Sequence, residues 1–239
     1  MNAPLPPDAA SRAERQREAV AALSAVLPAH ALLWQSEDTI PYECDGLTAY
    51  RERPLVVALP ETEAQVAEAL KACHALKLPV VARGAGTGLS GGALPNPMGV
   101  TLSLAKFNKI LNVDRAARTA TVQAGVRNLA ISEAAAPYGL YYAPDPSSQI
   151  ACTIGGNVAE NAGGVHCLKY GLTLHNVLRV RGLTVQGEPV SFGSEALDVP
   201  GLDPVSYTHL RAHETVLDLV CRLLLEKKKT RTQRETWDS

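Results

Sequence analysis

The chain has 239 residues, enough for one large domain or two small ones, and its 46% hydrophobic and 20% charged content is typical of a globular protein. A formal net charge of -1 excludes a global electrostatic field that would attract nucleic acid or an anionic membrane. The five cysteines form no CxxC pair and are odd in number, so the sequence predicts neither a zinc site nor a disulfide framework.

Residues 1–40 are predicted to form an N-terminal leader and one helix. Residues 1–10 are rich in proline and alanine and are expected to be disordered, while residues 11–26 place apolar side chains near one face of a helix. Residues 1–20 lack the apolar segment of a secretory signal, and no apolar run in the sequence reaches the length of a membrane span. We therefore expect a cytoplasmic protein.

A β-α-β unit follows. The apolar run Leu55–Leu59 ends at a proline and predicts a buried strand. Thr62 and Gln65 have the spacing of a capping box, which predicts a helix from there to about Leu76. Its inner side is expected to carry Val66, Ala69, Leu70 and Cys73. Residues 79–82 restart a strand, so the two strands are expected to run parallel with the helix as their crossover.

The loop after this second strand is dense in glycine, with five in the nine positions 84–92. Without Cβ atoms, successive backbone N–H groups can point into one concavity and bind phosphate oxygens. Gly86, Gly88 and Gly91 match GxGxxG, but that motif needs a helix to begin in the loop, and Pro95 and Pro97 forbid one. The loop is therefore interpreted as a diphosphate-binding loop, with a flexible turn as the alternative.

Further along, short strands are predicted at residues 100–104, 110–113 and 119–124, followed by a helix that ends before Gly139. Residues 177–180 and 183–185 are predicted as a further pair of strands before a turn at residues 186–187. The sequence thus predicts an α+β fold in which a small parallel unit precedes a more antiparallel one.

A second glycine-rich segment spans residues 141–164 and contains two Gly-Gly pairs. Small residues at this density allow the backbone to approach a flat ligand closely, and Thr153, Asn157 and Asn161 offer hydrogen bonds to the edges of a heterocycle. His166 lies in the polar loop beside this segment and is interpreted as a surface hydrogen-bonding residue, not a base.

Taken together, the two segments resemble the flavoprotein family of vanillyl-alcohol oxidase and p-cresol methylhydroxylase (PCMH), with the greatest likeness to the FAD-linked subunit of glycolate oxidase and to D-lactate dehydrogenases. The likeness runs from about Tyr42 to Asp203, and its motifs are the Asp45 region, the Arg83–Gly92 loop, Pro144–Ser148, Gly155–Asn157 and Asn161–Gly164. The resemblance implies an FAD-binding PCMH-type domain, incomplete, at residues 41–204. It also implies the following FAD-binding residues: Arg83, Gly84, Ala85, Gly86, Thr87, Gly88, Gly92, Ala93, Pro144, Asp145, Ser148, Thr153, Gly155, Gly156, Asn157 and Gly164.

The resemblance further implies an enzyme that oxidises the CH–OH group of a small 2-hydroxy acid, of glycolate or D-lactate type, with FAD as hydride acceptor. An iron–sulfur or other electron-acceptor subunit is an implied partner. Because the glycine-rich loop lacks the histidine that tethers FAD in some members, noncovalent FAD is expected. No catalytic or metal-binding residue is identified, so an inactive fragment and a non-redox nucleotide-binding module remain alternatives.

Residues 205–239 differ in composition from the rest of the chain, since they contain neither glycine nor proline. The apolar run at residues 216–225 is predicted to be helical. The stretch also resembles translated sequencing-adapter DNA found at the ends of unrelated chains, so we expect a non-native tail that contacts the preceding domain little. The alternative is a genuine C-terminal helix with a basic end. His209 and His213 have metal-ligand spacing but no third ligand, which predicts no metal site.

Overall fold

The computed structural model describes the backbone of residues 9–193 and 217–227, and the side chains of residues 10–193 and 220–227. The described residues form two compact units. The first contains residues 9–107, 182–190 and 217–219, and the second contains residues 108–181, 191–193 and 220–227.

The first unit is built on a four-stranded sheet. Its strands are β1 (Leu32–Leu33), β2 (Val56–Ala58), β3 (Val80–Arg83) and β4 (Val100–Ser103), in the order β1-β2-β4-β3. β4 runs parallel to both β2 and β3, and β1 is antiparallel to β2. The predicted parallel orientation is therefore confirmed, but β2 and β3 are not direct neighbours because β4 lies between them.

Three helices belong to this unit: α1 (Ala9–Ser24), α2 (Ser36–Thr39) and α3 (Glu63–Ala75). α1 begins two residues before the end of the predicted leader, and residues 1–8 lie outside the described residues. α3 is buried on the face that the periodicity predicts, through Val66, Ala69, Leu70 and Cys73. Burial raises the pKa of the Cys73 thiol to about 12, as is usual for a cysteine that packs as a small apolar residue.

The predicted capping box of α3 is present and gives a test of this element. The Thr62 side chain accepts a hydrogen bond from the Gln65 backbone N–H at 3.2 Å, and the Gln65 side chain accepts one from the Thr62 N–H. We expect Thr62→Ala to lower the free energy of unfolding by about 1 kcal/mol, because the first turn loses an acceptor. Urea titration followed by circular dichroism measures this. Thr62→Ser keeps the oxygen and should retain most of the stability, whereas an equal loss in both variants would contradict the role of the cap.

The second unit is centred on a five-stranded sheet. Its strands are β5 (Ile110–Asp114), β6 (Thr119–Gln123), β8 (Val177–Leu183), β9 (Pro189–Gly193) and β10 (Leu217–Leu224), in the order β5-β6-β10-β8-β9. A two-stranded sheet pairs β7 (Leu140–Tyr141) with β11 (Glu226–Lys227). The helices are α4 (Asn128–Ala135), α5 (Ile154–Glu160) and α6 (Cys167–Tyr170).

One face of the five-stranded sheet contributes to the core of this unit. Alternate residues of β6, Ala120 and Val122, are fully buried there with Ile131 of α4 and Ile154 of α5. The intervening side chains of the strands project from the opposite face. The α+β architecture of a parallel unit followed by an antiparallel one is thus confirmed.

The end of this sheet differs from the prediction. Residues 177–180 and 183–185 are not two strands, because Val177–Leu183 forms one continuous strand, β8, beside β9. Gly182 lies within this strand and has no positive φ angle. The turn at residues 186–187 is confirmed, with Gly187 at φ +77°.

The predicted helix at residues 216–225 is wrong, because Leu217–Leu224 forms the strand β10. Five residues of β10 pair antiparallel with β6, Val220 through Leu224, and Cys221 and Leu223 are fully buried. Burial therefore alternates along the strand, and cross-strand pairing overrides the helical propensity of a leucine-rich run. The expectation of few contacts is also wrong for residues 217–227. The non-native origin of residues 205–239 and the boundary at residue 204 stay predictions, and His209 and His213 lie outside the described residues.

Candidate functional site

The glycine-rich loop of the first unit follows β3 directly. Its residues are partly or fully exposed, and residues 84–99 contain no helix, as the prolines predict. Among the described residues, no backbone carbonyl accepts a hydrogen bond from the N–H groups of residues 84–88. Gly86 has φ +70°, in the left-handed region that glycine favours. These backbone donors therefore have no backbone acceptor in the part of the chain that the structure describes.

Arg83, the last residue of β3, contacts a neighbouring segment of the same unit. Its Nη1 atom donates to the Cys44 carbonyl oxygen at 2.8 Å, and its guanidinium carbon lies 5.5 Å from the centre of the Tyr42 ring. Burial lowers the pKa of Arg83, and the neighbouring Tyr42, Cys44 and Asp45 oppose that shift. The Arg83 guanidinium thus contacts protein atoms beside the loop, and its role toward a cofactor stays a prediction.

The segment at Asp45 and Gly46 packs closely against the glycine-rich loop. A Cβ atom at Gly46 would lie 2.8 Å from the Thr87 carbonyl oxygen and 2.9 Å from that of Gly88, so only glycine fits there. The neighbouring Asp45 is buried, and its Oδ1 atom accepts the Leu47 N–H at 2.9 Å. The family resemblance already includes the Asp45 region. The resemblance is therefore the sequence signal that could have identified this segment as part of the site.

The second predicted group surrounds α5 in the second unit. The Gly155 N–H donates to the Ala124 carbonyl oxygen at 2.8 Å, and a Cβ atom at Gly155 would lie 2.9 Å from the Ala124 Cβ. Thr153, which precedes the helix, and Asn157 within it are both buried. Within the described residues, Thr153 Oγ1 and Asn157 Nδ2 have no hydrogen-bond partner.

Asp145 forms hydrogen bonds with His166 of the same unit. Its Oδ2 atom lies 2.6 Å from His166 Nδ1, and its Oδ1 atom accepts the His166 backbone N–H at 3.3 Å. Gly164 lies against Asp145 so closely that a Cβ atom there would overlap the aspartate. The pair joins the Pro144–Ser148 segment to the second Gly-Gly pair. The interpretation of His166 as an exposed hydrogen-bonding residue agrees with this geometry.

The predicted cofactor residues thus fall into two sets, one in each unit. The set in the first unit is Arg83, Gly84, Ala85, Gly86, Thr87, Gly88, Gly92 and Ala93. The set in the second unit is Pro144, Asp145, Ser148, Thr153, Gly155, Gly156, Asn157 and Gly164. Their individual roles toward a cofactor stay predictions.

Each set by itself has groups that would suit a particular part of a dinucleotide. Backbone N–H groups are suitable donors for diphosphate oxygens, and the loop needs no lysine for that purpose. A buried polar atom without a partner costs about 1–3 kcal/mol, and Thr153 Oγ1 and Asn157 Nδ2 are two such atoms among the described residues.

The described residues contain neither a metal-ligand cluster nor a helix suited to cross a membrane. No cluster of three or more His, Cys, Asp or Glu side chains suited to a metal ion occurs in residues 9–193 and 217–227. No helix in the described part of the chain combines the length and apolarity that a membrane crossing requires.

Comparison with known proteins identifies the class. The FAD binding domain family matches residues 54–193, which is more than half of the chain. The chain therefore belongs to this family, and its cofactor is FAD.

Particular relatives are more informative about the kind of flavoprotein. The chain is 62% identical over 182 residues to the glycolate oxidase subunit GlcD of Escherichia coli (strain K12). The aligned region covers 76% of this chain and 36% of the relative. It is 40% identical over 151 residues to a D-lactate dehydrogenase of Anaerostipes hadrus. This alignment covers 63% of this chain and 32% of that protein. The chain thus spans about a third of the length of these relatives.

Solved structures confirm the predicted fold. p-Cresol methylhydroxylase with substrate bound matches with a TM-score of 0.76 at 19% identity, over 90% of this chain and 44% of that chain. An alkyldihydroxyacetonephosphate synthase matches with a TM-score of 0.74 at 19% identity, over 95% of this chain and 42% of that one. At these identities the likeness concerns the fold alone.

Proposed function

We propose that this chain is the FAD-binding part of an oxidoreductase that acts on the CH–OH group of a small 2-hydroxy acid, of glycolate or D-lactate type. The 62% identity to a glycolate oxidase subunit supports this proposal most strongly. A D-lactate dehydrogenase among the relatives widens the substrate class to short 2-hydroxy acids.

In this proposal the residues of the chain bind and orient the cofactor. The backbone N–H groups of residues 84–88 hold the diphosphate, and Arg83 and Gly46 keep the loop in place. Thr153 and Asn157 supply hydrogen bonds to the heterocycle at the start of α5. When bound, the flavin supplies the hydride acceptor, and the protein contributes binding, orientation and electrostatics.

The proposal extends to partners and location. The relative is a subunit of a glycolate oxidase, which supports an electron-acceptor subunit, such as an iron–sulfur protein, as a partner. We place the protein in the cytoplasm, with neither nucleic acid nor an integral membrane segment as part of its function. The net charge of -1 supports the first of these exclusions.

Cofactor titration of the purified chain tests the proposal. Adding apoprotein to FAD should quench the flavin fluorescence to a one-to-one end point, and dithionite should bleach the bound flavin reversibly, with an electron-accepting dye as reoxidant. Failure to bind FAD would favour the inactive fragment. Binding without reversible reduction would favour a non-redox nucleotide-binding module. The genomic DNA after codon 204 tests whether the reading frame continues, and a longer product would allow glycolate and D-lactate to be compared as reductants.

The linkage to FAD gives a separate prediction. We expect noncovalent FAD, because no histidine lies in residues 83–93 to tether the isoalloxazine. Acid precipitation of the reconstituted protein should release essentially all flavin to the supernatant. Ultraviolet fluorescence that stays with the denatured band on a gel would reveal a covalent bond.

A further inference from the structure

Two hydrogen bonds join residues on either side of α5 in the second unit. The Oδ2 atom of Asp145 lies 2.6 Å from Nδ1 of His166, and the Oδ1 atom of Asp145 accepts the backbone N–H of His166 at 3.3 Å. Asp145 precedes α5 in the chain and His166 follows it. The pair therefore closes a loop of the chain that contains the whole of α5.

The carboxylate of Asp145 is held from two sides. Its side chain is 21% exposed and that of His166 is 63% exposed, so the imidazole covers the carboxylate from the solvent side. Among the described residues, the carboxylate has no ion-pair partner other than His166. Gly164 lies against the same aspartate, since a Cβ atom at Gly164 would overlap it. Without the imidazole, Asp145 would lose its side-chain donor.

A hydrogen-bonded turn connects Asp145 to the start of α5. The carbonyl oxygen of Ser148 accepts the Cys152 N–H at 2.8 Å. Thr153 follows directly and is the N-cap residue of α5. Because this connection is short and hydrogen-bonded internally, a shift of Asp145 is expected to move Thr153 as well.

We propose that His166 is a positioning residue for FAD, which acts through Asp145 to hold the α5 segment in its binding conformation. This inference rests on the proposed function, in which Thr153 and Asn157 supply hydrogen bonds to the heterocycle. A segment that already has its binding conformation loses less conformational freedom when the ligand binds, so the ligand binds more tightly. In this role the imidazole contacts Asp145 and not the cofactor.

Fluorescence titration of FAD with the purified chain and its variants tests the proposal. His166→Ala removes the donor and should weaken FAD binding about three- to tenfold. His166→Asn should keep the affinity within about twofold, because the asparagine Nδ2 can take the place of the histidine Nδ1 and donate to the same carboxylate. His166→Leu is a second variant without a donor if His166→Ala does not fold, as judged by circular dichroism.

Two further variants separate this role from a general effect of losing a surface histidine. His30→Ala is the matched control, since His30 forms a similar exposed pair with Glu61 in the first unit, with 3.3 Å between Nε2 and Oε1. Its FAD affinity should equal that of the unmodified chain. In a chain that carries Asp145→Ala, adding His166→Ala should cause no further loss, because the proposed role depends on Asp145.

Several outcomes would overturn the proposal. They are unchanged affinity in His166→Ala, equal losses in His166→Ala and His166→Asn, an equal loss in His30→Ala, and an additive loss in the double variant. All of them require that the unmodified chain binds FAD, so they concern His166 alone. If the unmodified chain does not bind FAD, the proposed function fails and this inference fails with it.

Discussion

Replacing Gly86 with valine is expected to reduce the FAD affinity of the chain by at least about tenfold. Gly86 adopts φ +70°, and a side chain in this left-handed region costs about 1–2 kcal/mol, more for a β-branched residue. The added Cβ atom would also meet the guanidinium of Arg83. Arg83 donates a hydrogen bond to the Cys44 carbonyl oxygen. Moving the guanidinium to make room for the new side chain would break this hydrogen bond and loosen the loop. Fluorescence titration of FAD measures the loss.

The control for Gly86→Val is alanine at Gly91 in the same loop. Gly91 has a similar φ of +77°, but a Cβ atom there would meet nothing within 4 Å. Gly91→Ala therefore reports backbone strain without displacement of Arg83, and its FAD affinity should fall less than that of Gly86→Val. Far-UV circular dichroism should change little in either variant. Stoichiometric FAD with unchanged affinity in Gly86→Val would remove the assignment of this loop to the diphosphate.

The local signals of the sequence were sufficient for α3 and for the absence of a helix in the glycine-rich loop of the first unit. The capping box at Thr62 and Gln65 fixed the start of α3, and its apolar period identified the buried face. The prolines after the glycine-rich loop correctly excluded a helix. These features depend on residues close together in the chain, so sequence alone contains the information.

Features that depend on distant pairing could not be predicted in the same way. The insertion of β4 between β2 and β3 depends on contacts that no local pattern encodes. The Asp145–His166 pair joins residues from two different loops, and the fit of Gly46 against Thr87 and Gly88 brings distant segments together. Such contacts specify much of the candidate site, which is why its residues were indicated by family resemblance more than by physical pattern.

The same limit explains the error at residues 216–225. A leucine-rich run without glycine or proline has high helical propensity, yet the gap between β6 and β8 accepts it as a strand. Occupying that gap satisfies the backbone donors and acceptors of two strands that would otherwise be edges. This docking does not address the origin of the sequence, which the reading frame after codon 204 will establish.

Shortening Leu223 to alanine is expected to lower the free energy of unfolding by about 2–5 kcal/mol. Leu223 is fully buried, lies opposite Ala120 of β6 and packs in the core of the second unit. Leu111→Ala is the matched control in the same sheet, because that side chain is 51% exposed and should change stability by no more than about 0.5 kcal/mol. Urea titration followed by circular dichroism compares the two variants.

Removal of residues 205–239 extends this prediction to the whole strand. Deletion would leave β6 and β8 without their shared neighbour, so the second unit should unfold at lower urea concentration and FAD affinity should fall. This reverses the expectation from sequence that the tail is dispensable. If the shortened chain and Leu223→Ala both keep the stability of the unmodified chain, β10 is not docked in solution, and the segment is dispensable after all.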